Sequence, residues 1–306
     1  MAGTRLAVFA ALGVLACGAG PAWAARSCGL ELVASLDLDP AELPGRAMIS
    51  ALLEDTPQQM IIDTGAVQTA ITEKIAAQFK LRRSSISQRY RMEDYYGQRI
   101  EQVAIIPSLQ TGNLRATDVH AFIFPRELSS HAAGVIGPDM LSHYEVELDF
   151  AAKKLNLFSP DHCPGQVVYW THDPVAAVPI RIDDFGHIDL DVTLDGKTIP
   201  AHLDTGAPLS SMKLHNADSD FGLKPDSPGM QKREMPAGTI YFYQFKSLGV
   251  GGVTITNPTI YMSGGTEKLG EQTKRDFLLG LRELEQLHVF ISYKEKMLYA
   301  SAPDAH

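Results

Sequence analysis

Basic charge, cysteine and uninterrupted apolar runs are all in short supply in this chain. The 306 residues hold 27 Lys and Arg against 36 Asp and Glu, a formal charge of −9. An acidic chain without a basic run argues against nucleic acid as a partner. The apolar run from Leu6 to about Gly20 is broken by Gly13, Gly18 and Gly20 and ends at Pro21, short of the roughly 20 residues that span a bilayer. His120, His143, His187, His202 and His288 show no metal-ligand spacing, and each reads as a surface or partly buried structural residue. The cluster Gly249-Val250-Gly251-Gly252 lacks the lysine and following helix of a phosphate loop, so it reads as a hairpin turn. Asp189 and Asp191 lack the downstream glutamate of a calcium loop. No metal and no cofactor are expected.

What is present begins with a leader. Arg5, the apolar run, Pro21 and the small-residue site Ala22-Trp23-Ala24 describe a secretory signal of bacterial type over residues 1–24, cleaved after Ala24. An anchored reading, with Cys17 behind Val14-Leu15-Ala16 as a lipidated cysteine, stays open. Cleavage removes Arg5 and takes the formal charge to −10. It also removes one of the 3 cysteines, leaving Cys28 and Cys163, most simply one disulfide in an oxidising compartment. A cysteine nucleophile is the competing reading, with His162 the one histidine nearby. The expected location is periplasmic or secreted, with no stable membrane span after cleavage.

The tetrapeptide Asp-Thr-Gly-Ala occurs twice, at Asp63-Thr64-Gly65-Ala66 and Asp204-Thr205-Gly206-Ala207, each time behind apolar residues. Gly45 precedes the first by 18 residues (63 − 45) and Gly186 the second by 18 (204 − 186). The register continues through Phe79/Phe221, Gly97/Gly238, Ser108-Leu109/Ser247-Leu248 and Val135-Ile136-Gly137/Leu278-Leu279-Gly280. A duplicated unit of about 140 residues is an ordinary domain size. The units run over 25–160 and 161–306, with Ser159 to Gly165 as a linker.

Within each unit strand signals dominate. Ile188, Leu190, Val192 and Leu194 alternate with Asp189, Asp191 and Thr193 before a turn at Asp195-Gly196, the pattern of a half-buried strand. Further strands are expected at Ala47–Leu53, Met60–Ile62, Val103–Ile106, His120–Phe124, Tyr241–Phe245 and Thr259–Met262. Thr72 to Phe79 has helical composition.

Two equivalent carboxylates on two copies of one unit meet near the axis that relates them. Held close, they cannot both ionise cheaply and share one proton. One can then take a proton from water while the other gives one to a carbonyl oxygen, so a peptide bond is hydrolysed without metal or covalent intermediate. Gly65 and Gly206 let backbone approach the carboxylates. Thr64 and Thr205 can hydrogen-bond between the units and hold both loops rigid. Gly137 and Gly280 end segments expected to pass beneath the loops, and Asp139 is expected to bond local backbone.

Paired Asp-Thr-Gly-Ala motifs, each followed by an apolar-apolar-glycine segment, resemble the aspartic proteases, in particular two retropepsin-type lobes fused in tandem over about residues 30–302. The resemblance implies an all-β fold with short helices, bilobal and acid-protease-like, built of two pseudo-two-fold-related barrel-like lobes. It also implies endopeptidase activity on a polypeptide substrate, catalytic roles for Asp63 and Asp204, interlobe hydrogen bonds from Thr64 and Thr205, and a flap of Tyr95, Tyr96 and Gly97 with Gly238 as its counterpart. The expected state is a monomer. Ala66 and Ala207 depart from the serine or threonine of pepsin-like sites, so fewer bonds reach the charged form and the pair is expected to be less acidic. A catalytically silent, peptide-binding protein of the same fold is the alternative.

Overall fold

A computed structural model describes residues 28–38, 45–87, 89, 92–94, 97–128, 131–235, 238–263 and 277–303. The expected leader, Cys17, Tyr95 and Tyr96 lie outside the described residues. Among those described, no helix is long and apolar enough to cross a membrane, and no group of three or more His, Cys, Asp or Glu could hold a metal ion.

Each half folds as a twisted, mostly antiparallel β-barrel. In the first, the strands run in the order Met48–Leu53, Thr56–Ile62, Ala132–Ile136, Ala70–Thr72, Leu114–Phe124, Gln102–Thr111 and Arg82–Ser85. Pairing of Leu52 and Leu53 with Gln110 and Leu109 closes the circle, which leaves fewer exposed edges. The second half repeats the order with Ile188–Leu194, Lys197–Leu203, Phe277–Leu279, Ser211–Lys213, Thr259–Ser263 and Gly238–Gln244, the last pairing Gln231–Met235. Alternation predicts the strand faces correctly. Ile188, Leu190, Val192 and Leu194 are buried in the core, while Asp191 and Thr193 are exposed.

Turn chemistry also follows composition. Asp195-Gly196 and Gly251-Gly252 form two-residue hairpin loops, all four residues at positive φ, as the primed turns that match strand twist require. Thr72 caps the helix Glu73–Gln78 by accepting from the Ile75 N–H, close to the boundaries read from composition.

A third, six-stranded sheet joins the halves, in the order Leu32–Asp37, Lys154–Phe158, Glu145–Asp149, His288–Ser292, Met297–Ser301 and Ala176–Pro179. Its central pair sets Glu147 opposite Phe290. These two are themselves equivalent in the repeat (290 − 147 equals 280 − 137), so the pseudo-two-fold axis passes between them. The expected two-lobed, all-β architecture is present.

Cys28 and Cys163 are bonded, with Cα atoms 4.9 Å apart at a sequence separation of 135, which removes the cysteine-nucleophile reading. The link fastens the start of the described chain to the segment leading into the second half. Closing so long a loop restricts the unfolded chain and stabilises the fold by about 3 kcal/mol. Cys28→Ser with Cys163→Ser should therefore lower the midpoint of denaturant unfolding and raise m, because the unlinked denatured chain exposes more surface; an unchanged midpoint would show that the link contributes nothing.

Candidate active site

Both Asp-Thr-Gly-Ala segments begin where a barrel strand ends. Thr56–Ile62 runs parallel to Ala132–Ile136, and Lys197–Leu203 parallel to Phe277–Leu279. The register carries one residue further, as Asp63 N–H donates to Ile136 C=O and Asp204 N–H to Leu279 C=O, both at 3.0 Å. On their far sides the same two strands pair antiparallel with Ala70–Thr72 and Ser211–Lys213. Each apolar-apolar-glycine segment thus threads between the two legs of its aspartate loop.

Buried polar groups fix that threading. Gly137 N–H donates to Thr69 Oγ1 at 3.1 Å, and the Thr69 N–H and hydroxyl donate to Asp139 Oδ1 at 2.7 and 2.8 Å. In the second half Gly280 N–H donates to Ser210 Oγ at 2.9 Å, and Ser210 in turn donates to Glu283 through its N–H and hydroxyl. Asp139 therefore bonds backbone 70 residues away in sequence, a correction to the local bond expected of it. Burial raises the Glu283 carboxyl above its ordinary range, against the pull of the Ser210 bonds. Sequence reasoning passed over Thr69, Ser210 and Glu283. Their signal is a hydroxyl six residues after each aspartate (69 − 63, 210 − 204) and an acid two or three after each glycine (139 − 137, 283 − 280).

The two loops lock through their threonines, both fully buried. Thr64 Oγ1 donates to Leu203 C=O at 2.9 Å and accepts from Thr205 N–H at 3.1 Å; Thr205 Oγ1 donates to Ile62 C=O at 2.7 Å and accepts from Thr64 N–H at 3.1 Å. Four bonds between halves, with each hydroxyl both donor and acceptor, leave the loops no room to slide. This is the interlobe bonding expected of Thr64 and Thr205.

The lock brings the carboxylates together across the axis, each packed against the glycine of the opposite loop. Each is also held by its own loop: Gly65 N–H donates to Asp63 Oδ1 and Ala207 N–H to Asp204 Oδ1, both at 3.0 Å. The glycines face the opposite carboxylate. A Cβ on Gly65 would fall 2.4 Å from Asp204 Cγ, and one on Gly206 2.3 Å from Asp63 Cγ, so no larger residue fits without moving the pair. Burial and then the charge of Asp63 push Asp204 up to about 8. Burial raises Asp63 as well, opposed by the Gly65 N–H, Asp204 and the Arg46 cation. A pair of this kind can hold one proton from acid to near-neutral pH.

The flap candidates divide. Gly97 closes a turn with its N–H on Asp94 C=O at 2.9 Å, in a segment between Arg82–Ser85 and Gln102–Thr111. Gly238 opens the second strand of the hairpin Gln231–Met235/Gly238–Gln244, opposite Met235. Both therefore sit at hairpin turns of their own barrels. Three histidines read as surface or partly buried are instead buried, each with one ring nitrogen against a carboxylate: His187 on Asp183, His202 on Asp189 and His288 on Glu147, at 2.9 to 3.0 Å. The Trp170 ring stacks on His288 at 4.4 Å, and the His187 and His202 rings cover one another at 5.3 Å.

Residues 49–143 match the family described as "gag-polyprotein putative aspartyl protease". The chain resembles the aspartic proteases. The match covers the first barrel with Asp63 and Gly137, and the aspartic-protease-like geometry repeats in the second. No curated protein matches the sequence. Among solved structures, the crystal structure of Basic 7S globulin from soybean is similar at 11% identity and a TM-score of 0.49, over 90% of this chain and 95% of that one.

Proposed function

We propose that the chain is an aspartic endopeptidase that hydrolyses peptide bonds with a water molecule activated between Asp63 and Asp204, working as a monomer outside the cytoplasm. The observation that supports this reading is the buried carboxylate pair, each member packed against the glycine of the opposite loop, with the two loops locked by Thr64 and Thr205; we take the lobes to divide near residue 160. The ionised member takes a proton from water as its oxygen bonds to the substrate carbonyl carbon, and the protonated member gives its proton to the carbonyl oxygen. A gem-diol forms. It collapses when a proton reaches the amide nitrogen and the C–N bond breaks. Gly97 and Gly238 belong to the hairpins proposed to cover an extended polypeptide. Export agrees with the Cys28–Cys163 bond and with the leader read from residues 1–24.

Activity requires the singly protonated pair. Below the first ionisation there is no base; above the second there is no acid. Because burial raises both carboxyls, the window extends to mildly acidic pH, with cleavage of a denatured protein expected at about pH 5 to 6 and blocked by a statine-type inhibitor that imitates the hydrated carbonyl. A profile confined below about pH 3 would contradict the raised pair. A chain that binds the inhibitor but cleaves nothing from about pH 3 to 8 would be the silent, peptide-binding alternative.

A further inference from the structure

The two lobes are not equivalent at the residue that enters each barrel. Gly45 and Gly186 take the same left-handed conformation, at φ +83° and +81°, and each is followed by a residue 17 positions before its aspartate (63 − 46, 204 − 187). In the first lobe that residue is Arg46, in the second His187. His187 has Nδ1 at 2.9 Å from Asp183 Oδ2 and its ring 5.3 Å from that of His202, both in its own lobe. Arg46 differs. Its guanidinium reaches across the lobe boundary and donates to Gly206 C=O, in the opposite aspartate loop.

That placement is one-sided with respect to the pair. Gly206 is the residue packed against the Asp63 carboxylate, so the half-buried cation is held beside Asp63. The groups acting on Asp63 are Asp204, Arg46 and the N–H groups of Gly65 and Ala66. Asp204 is acted on by Asp63 and by the N–H groups of Gly206 and Ala207. A positive charge beside one member of a proton-sharing pair favours the anion there and leaves the proton on the other.

We propose that Arg46 is a positioning residue that breaks the symmetry of the pair, keeping Asp63 ionised as the water-activating base and leaving the proton on Asp204. The inference rests on the peptidase reading for the word base, and on the Arg46 contact for the asymmetry. In the first step the water proton passes to Asp63 while the Asp204 proton passes to the carbonyl oxygen. In the second, Asp63 gives its proton to the departing nitrogen and Asp204 recovers one from a diol hydroxyl. The pair ends as it began.

The test is a carbon-13 carboxyl NMR titration of the full chain, with signals assigned through Asp63→Asn and Asp204→Asn, alongside the pH profile of kcat/KM. In the wild type the Asp63 signal should account for the lower ionisation. Arg46→Gln should raise that ionisation, and the acid limb of kcat/KM with it, by about one pH unit, while Arg46→Lys should restore the wild-type limb. If Asp204 ionises first in the wild type, or if folded Arg46→Gln titrates as the wild type does, the proposal is overturned. Should Arg46→Gln fail to fold, the wild-type assignment and the Lys variant still decide it. A chain without peptidase activity in which Asp63 ionises first would sink the peptidase reading and leave the asymmetry standing.

Discussion

Asp63→Asn and Asp204→Asn are each expected to lower kcat for peptide cleavage by a factor of about a thousand or more. An amide keeps the size and most hydrogen bonds of the carboxyl. At Asp63 it can still accept from Gly65 N–H, and at Asp204 from Ala207 N–H. It can neither take a proton from water nor carry one to a carbonyl oxygen. The loss should therefore fall on kcat, with KM little changed, and combining the two substitutions should cost hardly more than either alone, since the pair acts as one unit. Stability should hold or rise near neutral pH, because burial opposes ionisation at both positions. Cleavage kinetics and thermal unfolding on the same preparations check both halves. Full activity in one of the variants would mean that the pair does not work as a unit, and equal activity in all would end the peptidase reading.

The repeat was legible because its evidence is local. Strand alternation, glycines at fixed distances and a tetrapeptide in register need no knowledge of contacts, and the helix after Asp63 follows from the composition of Thr72 to Phe79. What stayed hidden depends on cover from elsewhere in the chain. Glu145-Val146-Glu147-Leu148-Asp149 alternates as if one face met solvent, yet Glu145 and Glu147 are fully buried. The linker and the segment after it lie over that face: His162 approaches Glu145 at 3.2 Å, and Tyr169 O–H donates to Glu147 Oε2 at 2.7 Å. His288 reaches Glu147 from the other half. Period-two patterning reports only what one strand offers to a core, so a sheet buried on both faces by a long return connection escapes it. Arg46 was missed for a related reason. Its contact is with a residue 160 positions away, and a lone arginine ahead of a strand carries no periodic signal.

The threonine lock gives the second large effect. Thr205→Val keeps shape and volume but removes the hydroxyl that donates to Ile62 C=O and accepts from Thr64 N–H. Both partners, Ile62 and Thr64, are fully buried at the lobe boundary. Leaving a buried donor and acceptor unsatisfied costs about 2 to 4 kcal/mol, and Thr64→Val, which strands Leu203 C=O and Thr205 N–H, should cost a similar amount. The double variant is expected to lose less than the sum of the singles, because each hydroxyl's bonds close on the other's backbone and the first removal already frees the loops to relax. Activity should fall more steeply than stability. A shift of the loops separates the carboxylates that Gly65 and Gly206 hold face to face, and the shared proton then lodges on one of them as an ordinary acid. Denaturant unfolding measures the first effect, and the spacing of the two carboxyl ionisations measures the second. A double variant that unfolds at the wild-type midpoint, or whose ionisations stay as far apart as in the wild type, would mean that the interlobe sheet holds the pair by itself.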